Sequence, residues 1–116
     1  MPMFPLAAPP PLAVPAAPAR VLAFADEFRF SSSRRAVPAG RLRLQLKNIG
    51  EDEHDLRIVG PRGTPRAATG LVRPGRVGQI RVKLPRGTYT YLCTVADHAE
   101  RGMRGTLVVR AVRRGR

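Results

Sequence analysis

The segment RLRLQLK at positions 41–47 alternates leucine with charged or polar residues without a break. Side chains of a β-strand point to opposite faces in turn, so this period of two predicts a strand with Leu42, Leu44 and Leu46 facing a core. The other side of the strand then faces water. A sheet with one solvated face is typical of antiparallel pairing, which we therefore predict here.

Similar short apolar or alternating runs continue along the chain. Twelve prolines and eleven glycines disfavour long helices and favour strands joined by turns. We predict turns at Ser31 to Arg35, Val37 to Gly40 and Asn48 to Asp52, and a long irregular connection over 61–75. The predicted strands cover 21–30 (with a break at Asp26-Glu27), 41–47, 55–60, 77–84, 88–93 and 105–112. This pattern predicts an all-β fold, a Greek-key β-sandwich of about seven strands.

Composition divides the chain into three parts. Residues 1–19 are uncharged and rich in proline and alanine, and two interpretations stay open: a disordered tail, or the remnant of an export signal ending at Ala17-Pro18-Ala19. We predict one domain over residues 20–112, because the length suits a single core. Residues 113–116 form a basic C-terminal tail.

Charge and cysteine content narrow the classes of function. The formal net charge is +13, which favours acidic proteins, anionic membrane surfaces or nucleic acid as partners. Aromatic residues do not interleave with the arginines, which argues against a nucleic-acid platform. No run of 18 apolar residues occurs, so we predict no transmembrane segment. A single cysteine excludes an internal disulfide and leaves a core thiol, a metal ligand or a nucleophile.

Three donor side chains lie in the stretch YTYLCTVADHAERGM at 89–103: Cys93, His98 and Met103, with four residues between neighbours. Singly, each has an ordinary explanation as a packed thiol, a solvated imidazole or an apolar plug. Together their soft sulfur and nitrogen donors favour copper. The remaining histidine, His54, stands just after a predicted turn. Two His, one Cys and a weak axial Met form the donor set of a blue-copper centre.

The sequence resembles the cupredoxins, small blue-copper proteins of the plastocyanin and azurin type. The resemblance covers most of residues 20–111. It rests on FADEFRFSSSRRAVPAGRLRLQLKNIGEDEHDLRI in the N-terminal half and on YLCTVADHAERGMRGTLVV in the C-terminal half. The ligand spacing is closer to rusticyanin-like members than to plastocyanins, whose Cys–His gap is shorter, or to azurins, whose His–Met gap is shorter.

The resemblance implies one type 1 copper ion as cofactor. Cys93 would be its thiolate ligand, His54 and His98 its imidazole ligands, and Met103 its distant axial ligand. His98 would lie nearest the surface and serve as the route of the electron. The implied function is single-electron transfer between redox partners, without enzymatic turnover.

The sequence departs from many relatives at two places. Asp55 stands where an asparagine is common. Its backbone N–H can still reach the cysteine sulfur and Thr94 can pair with its carboxylate, while its charge should favour Cu(II) and lower the reduction potential. Ala96-Asp97 replaces a Pro-Gly pair before the second histidine, so we expect a less rigid loop.

Expectations about partners follow from the same resemblance and the charge. Arg101 and Arg104 flank His98, which predicts docking to a redox partner with an acidic patch. We further expect a monomer with an extracytoplasmic location, and association with a membrane surface is compatible with the charge. Two alternatives stay open at this point: a copper chaperone or buffer that uses the same ligands, and a metal-free basic binding module.

Overall fold

The chain forms two facing β-sheets in a computed structural model that describes residues 17–112. Nine strands lie within this range: β1 Ala19–Asp26, β2 Arg29–Ser32, β3 Ala36–Pro38, β4 Gly40–Asn48, β5 Arg57–Val59, β6 Pro65–Ala68, β7 Val77–Leu84, β8 Gly87–Leu92 and β9 Arg104–Arg110. One sheet has the order β2-β1-β4-β7 and the other the order β3-β9-β8-β5-β6. The predicted all-β sandwich is confirmed.

The core lies between the two sheets and is built from aliphatic side chains. Leu42, Leu44 and Leu46 are at most 3% exposed, as the alternation over 41–47 predicted. The opposite sheet contributes Ile58 and Tyr89, among others, to the same cluster. Burial of branched and aromatic side chains from both inner faces is what holds a sandwich together.

Strand pairing differs from the prediction in one respect. Strand β4 pairs antiparallel with β7 but parallel with β1, and β3 also pairs parallel with β9. The predicted antiparallel pairing therefore holds for β4 with β7 but not for β4 with β1, and both sheets are mixed. Alternation reports only that one face is solvated. It does not report direction, which is set here by the chain crossing to the second sheet as β3 before it returns as β4 beside β1.

Two predicted loops contain more structure than expected. Strand β3, Ala36–Pro38, includes Val37 and Pro38, where a turn was predicted. The connection over 61–75 includes a 3-10 turn at Pro61–Gly63, strand β6 and an isolated bridge between His54 and Val72. Proline is tolerated at strand edges, so Pro and Gly content alone overstates the irregular part of such a segment. The predicted break at Asp26-Glu27 is present between β1 and β2.

The two terminal segments predicted as tails, 1–19 and 113–116, lie largely or wholly outside the described residues. Strand β1 begins at Ala19. Within residues 17–112, no helix has the length and apolar character needed to cross a membrane.

Candidate metal centre

Three candidate ligands meet at one end of the sandwich. The donor atoms of His54, Cys93 and His98 lie within 4.8 Å of one another. Their side chains are buried, with exposed fractions of 0%, 1% and 5%. His54 lies 39 positions before Cys93 and 44 before His98, yet the three residues share one site. They do so because the loop after β4 and the loop after β8 lie at the same end of the fold.

His54 is held by its backbone and by the loop that precedes it. Its N–H donates to the Val72 carbonyl at 3.1 Å, and the Val72 N–H returns a bond to the His54 carbonyl at 2.7 Å. The buried Asn48 side chain shapes the preceding loop. Its Nδ2 donates to the carbonyls of Asp52 and Val72 at 2.7 and 2.9 Å, and its Oδ1 accepts from the Gly50 N–H at 2.9 Å. Asn48 thus ties the loop to the neighbouring segment.

The loop from Cys93 to Met103 folds back on itself. The Cys93 N–H donates to the Met103 carbonyl at 3.0 Å, and the Met103 N–H donates to the His98 carbonyl at 3.1 Å. The Met103 side chain is fully buried. All three donor residues predicted from this stretch therefore lie beside one another, with Met103 bonded through its main chain to both of the others.

The histidine rings present one nitrogen to the centre and the other to a carboxylate. His98 Nδ1 lies 3.6 Å from Cys93 Sγ, while its Nε2 lies 3.5 Å from Asp52 Oδ2. His54 Nε2 lies 3.1 Å from Glu27 Oε1, and its Nδ1 is buried with no hydrogen-bond partner. An unpartnered buried imidazole nitrogen is costly in a folded protein unless it ligates something.

The donor set fits copper. Two imidazole nitrogens and one thiol, with a thioether residue close by, match the ligand types of a blue-copper centre. Carboxylates on the outer nitrogens of both rings are the usual supports of histidines that bind a metal. The chemistry of the residues present thus agrees with the group that the resemblance implies.

Asp55 links the two ligand-bearing loops. Its Oδ1 accepts from the Thr94 N–H at 2.5 Å, and its Oδ2 accepts from the Thr94 hydroxyl. The pairing of Thr94 with this carboxylate, expected from the sequence, is therefore present. Burial raises the pKa of the Cys93 thiol, backbone hydrogen bonds from Asp55 and Val95 oppose that rise, and the charge of the Asp55 carboxylate adds to it.

One aromatic residue covers the outer side of His98. The Phe28 ring lies 4.9 Å from the His98 ring, and the Arg101 guanidinium lies 4.8 Å from the centre of the Phe28 ring. Arg101 also pairs with Asp97 at 2.8 Å. Of the two histidines, His98 is the more exposed, although only 5% of its surface is accessible.

Acidic residues are concentrated at this end of the molecule. All eight of the chain's Asp and Glu residues lie in or next to the three loops around the candidate centre: Asp26, Glu27, Glu51, Asp52, Glu53, Asp55, Asp97 and Glu100. The excess of arginine therefore belongs mostly to other surfaces. The predicted docking residues Arg101 and Arg104 are both exposed, and Arg101 pairs with the Asp97 carboxylate.

The backbone of the Cys93–Met103 loop has two residues with positive φ. Gly102 has φ +119°, which glycine adopts without steric cost. Ala96 has φ +43°, a region that side chains with a Cβ rarely adopt. Because alanine has a Cβ, this conformation leaves backbone strain at Ala96.

Sequence reasoning missed three residues of this site: Glu27, Phe28 and Asn48. All three precede His54 in the chain. Glu27 contacts His54 and Phe28 contacts His98, whereas Asn48 braces the loop before His54. The Asn-x-Gly pattern at Asn48 was a signal for a turn, and it also marks the residue that braces the loop. Glu27 is part of a predicted break in a strand and Phe28 follows it, and this break gave no indication of their contacts.

Comparisons with known proteins point to one family. No protein-family model matches the chain. Over 67 residues, the chain is 37% identical to auracyanin-B of Chloroflexus aurantiacus, a match that takes in 55% of this chain and 28% of that protein. The chain thus spans little more than a quarter of the length of this relative.

Solved structures agree on the fold. The reduced auracyanin of Roseiflexus castenholzii superposes with a TM-score of 0.70 at 25% identity, covering 82% of this chain and 99% of that one. Auracyanin A of Chloroflexus aurantiacus, described as a blue copper protein, gives a TM-score of 0.69 at 20% identity, covering 81% of this chain and all of that one. The sandwich, its cluster of His54, Cys93 and His98 and its likeness to auracyanins give the chain a cupredoxin-like fold.

Proposed function

We propose that this chain binds one type 1 copper ion and carries single electrons between redox partners. His54, Cys93 and His98 would hold the ion, with Met103 as a fourth, weaker ligand. The observation that carries the proposal is the buried Nδ1 of His54. It has no hydrogen-bond partner and belongs to a ring whose donor lies within 4.8 Å of the Cys93 thiol and the His98 ring.

The surrounding residues suit an electron carrier. Copper, when bound, would supply the Cu(I)/Cu(II) couple. The chain places three donors on buried side chains, and hydrogen bonds made by Asn48, Asp55 and Thr94 brace the loops that carry them. Such bracing favours similar donor positions in both oxidation states. Neither of two surface cavities, of about 540 and 300 Å³, is lined by a site residue.

The Phe28 and His98 side of the molecule is the proposed docking face. His98 is the more exposed histidine, and Phe28 with Arg101 forms the surface outside it. Arg104 and Arg101 are the candidate contacts for an acidic patch on the partner. Because Arg101 is paired with Asp97 and several carboxylates are near, we expect only a shallow decrease of the transfer rate with ionic strength. A rate that increases with salt would contradict an acidic partner.

An extracytoplasmic location is part of the proposal. It is supported by the likeness to auracyanins and by the small-residue pattern Ala17-Pro18-Ala19. Fractionation of cells that express the full chain tests it, and recovery of the protein only with cytoplasmic markers would contradict it.

The experiment that tests the copper proposal is the addition of Cu(II) to the apo-protein. We expect an intense visible charge-transfer band in the wild type and none in Cys93→Ser, with the fold of the variant checked by circular dichroism. Absence of the band in the wild type, or its persistence in the variant, would refute the proposal.

The copper chaperone is less well supported, because a centre whose histidines and cysteine are at most 5% exposed is poorly placed to pass on its ion. Repeated redox cycling followed by metal analysis separates the two functions. A carrier retains copper through the cycles, whereas a chaperone loses Cu(I) to an added acceptor. A metal-free module would show no band at all.

A further inference from the structure

Glu27 contacts the candidate centre from outside the ligand set. It lies between β1 and β2, 27 positions before His54. One carboxylate oxygen, Oε1, accepts from the backbone N–H of Glu51 at 2.8 Å and from that of Asp52 at 2.7 Å, and it lies 3.1 Å from His54 Nε2. A single oxygen therefore joins the loop before His54 to the ring of His54.

The surrounding residues hold the Glu27 carboxylate in one position. A Cβ atom placed on Gly50 would lie 2.5 Å from both oxygens of Glu27, so only glycine leaves room for this approach. The side chain of Glu27 is 24% exposed, and the His54 side chain is fully buried. The two backbone donors and the Gly50 surface together hold the carboxylate against the ring.

A carboxylate in this position decides which nitrogen of His54 carries the proton. A neutral imidazole has one N–H donor and one lone pair. Since the carboxylate can only accept, the proton belongs on Nε2, and the lone pair then lies on Nδ1. Nδ1 is the buried atom without a partner. The hydrogen bond from Nε2 to Glu27 therefore explains why the lone pair lies on the unpartnered Nδ1.

We propose that Glu27 is the positioning residue of His54, holding its ring as the Nε2–H tautomer with the Nδ1 lone pair turned into the metal centre. The effect on copper rests on the proposed function, whereas the tautomer is a property of the apo-protein. Asp52 makes the corresponding contact to His98 more weakly, at 3.5 Å and from a side chain that is half exposed. Glu27 is therefore the stronger of the two supports.

Three variants test this role. Glu27→Ala removes the acceptor, and Glu27→Gln keeps an oxygen for the two backbone donors and the ring but removes the charge. Glu51→Gln is the matched control, since it removes one negative charge from the same loop and leaves the Glu27 contacts in place. The ring nitrogens of His54 are followed by nitrogen-15 NMR in the apo-protein, and Cu(II) affinity by competition with a chelator.

We expect the Nε2–H tautomer in the wild type, in Glu27→Gln and in the control, and a mixture of tautomers in Glu27→Ala. Loss of a carboxylate behind a ligating histidine typically weakens metal binding by about 10- to 100-fold, so we expect a loss of that size in Glu27→Ala and a smaller one in Glu27→Gln. We also expect a higher reduction potential in Glu27→Gln than in Glu51→Gln, because the lost charge is closer to the ligand.

An unchanged tautomer in Glu27→Ala together with Cu(II) affinity within about twofold of the wild type would overturn the proposal. If Glu27→Ala does not fold, equal potentials in Glu27→Gln and Glu51→Gln overturn it instead. Failure of the wild type to give the visible band refutes the copper function and leaves the tautomer result standing.

Discussion

The two halves of the candidate centre are built in different ways. The strand arm, residues 48–55, supplies His54 and is held by distant parts of the chain, through Asn48 to Val72 and through Glu27 to the ring. The ligand loop, residues 93–103, supplies the other donors and is held mainly by bonds within itself. The strand arm is therefore positioned by contacts with distant parts of the chain, and the ligand loop by hydrogen bonds between its own residues.

This difference assigns separate tasks to the two arms. The strand arm cannot move without breaking contacts that span 24 to 27 positions of sequence, so it provides the fixed side of the site. The ligand loop can adjust within its own bonds and faces the proposed docking side. Asp55 and Thr94 join the arms across 39 positions. Variants in the two arms should therefore change the free energy of unfolding by different amounts. At one position, Ala96, the change should be a gain in stability.

The largest effect is expected from Asn48→Ala in the strand arm. The change removes three hydrogen bonds, one of them buried and two partly buried, that hold the loop before His54. We expect the free energy of unfolding of the apo-protein to fall by about 2–4 kcal/mol, measured by thermal unfolding. Gln45→Ala on the solvated face of β4 is the control and should change stability by less than about 0.5 kcal/mol. Similar losses in both variants would contradict the assigned role of Asn48.

A smaller effect is expected where the arms are joined. Asp55→Asn keeps one oxygen for Thr94 but removes the charge, and we expect a loss of about 1–2 kcal/mol in unfolding free energy. The pKa of the Cys93 thiol should fall, since the Asp55 carboxylate contributes to raising it. Thiolate absorbance followed against pH in the apo-protein measures this. A pKa that stays constant or rises would contradict a contribution of the Asp55 charge.

In the ligand loop we expect one substitution to stabilise. Ala96→Gly relieves the positive φ of +43°, and the gain should be about 0.5–1 kcal/mol in unfolding free energy of the apo-protein. Ala99→Gly, three residues further on, is the control, because the φ of Ala99 is not positive and glycine there should only destabilise. Equal signs for the two variants would show that the backbone of Ala96 is not strained.

The smallest effects concern acid stability. The pKa of Glu27 is lowered to about 2, first by the hydrogen bond from the Asp52 backbone. Because the folded value lies below the ordinary value of 4.5, the stabilisation by Glu27 is present above that pH and is lost as the pH falls toward 2. The difference in unfolding free energy between wild type and Glu27→Gln should narrow over this range.

Asp97 provides the comparison in the ligand loop. Its pKa is lowered chiefly by the hydrogen bond from Arg101, but both side chains are at least half exposed. Water and salt screen such a pair, so Asp97→Asn should have no measurable effect on the same acid titration. A larger acid sensitivity from Asp97 than from Glu27 would reverse the order that we assign to the two arms.

Local patterns in the sequence determined much of this protein. The alternation over 41–47 predicted the buried leucines, and the spacing of Cys93, His98 and Met103 marked a loop whose residues are close in the chain and close in space. His54 was identified as the remaining donor by its residue type and by the family resemblance. Periodicity and short spacing are visible in a sequence because they reflect contacts between near neighbours.

The tertiary structure alone decided the rest. It set the parallel pairing of β1 with β4, the bracing of the strand arm by Asn48 and the contact of Glu27 with His54. It also gathered the acidic residues around the ligands. Each of these features joins residues from separate elements, and no local spacing encodes them. They arise only when the packing of two sheets brings the ends of different strands to the same place.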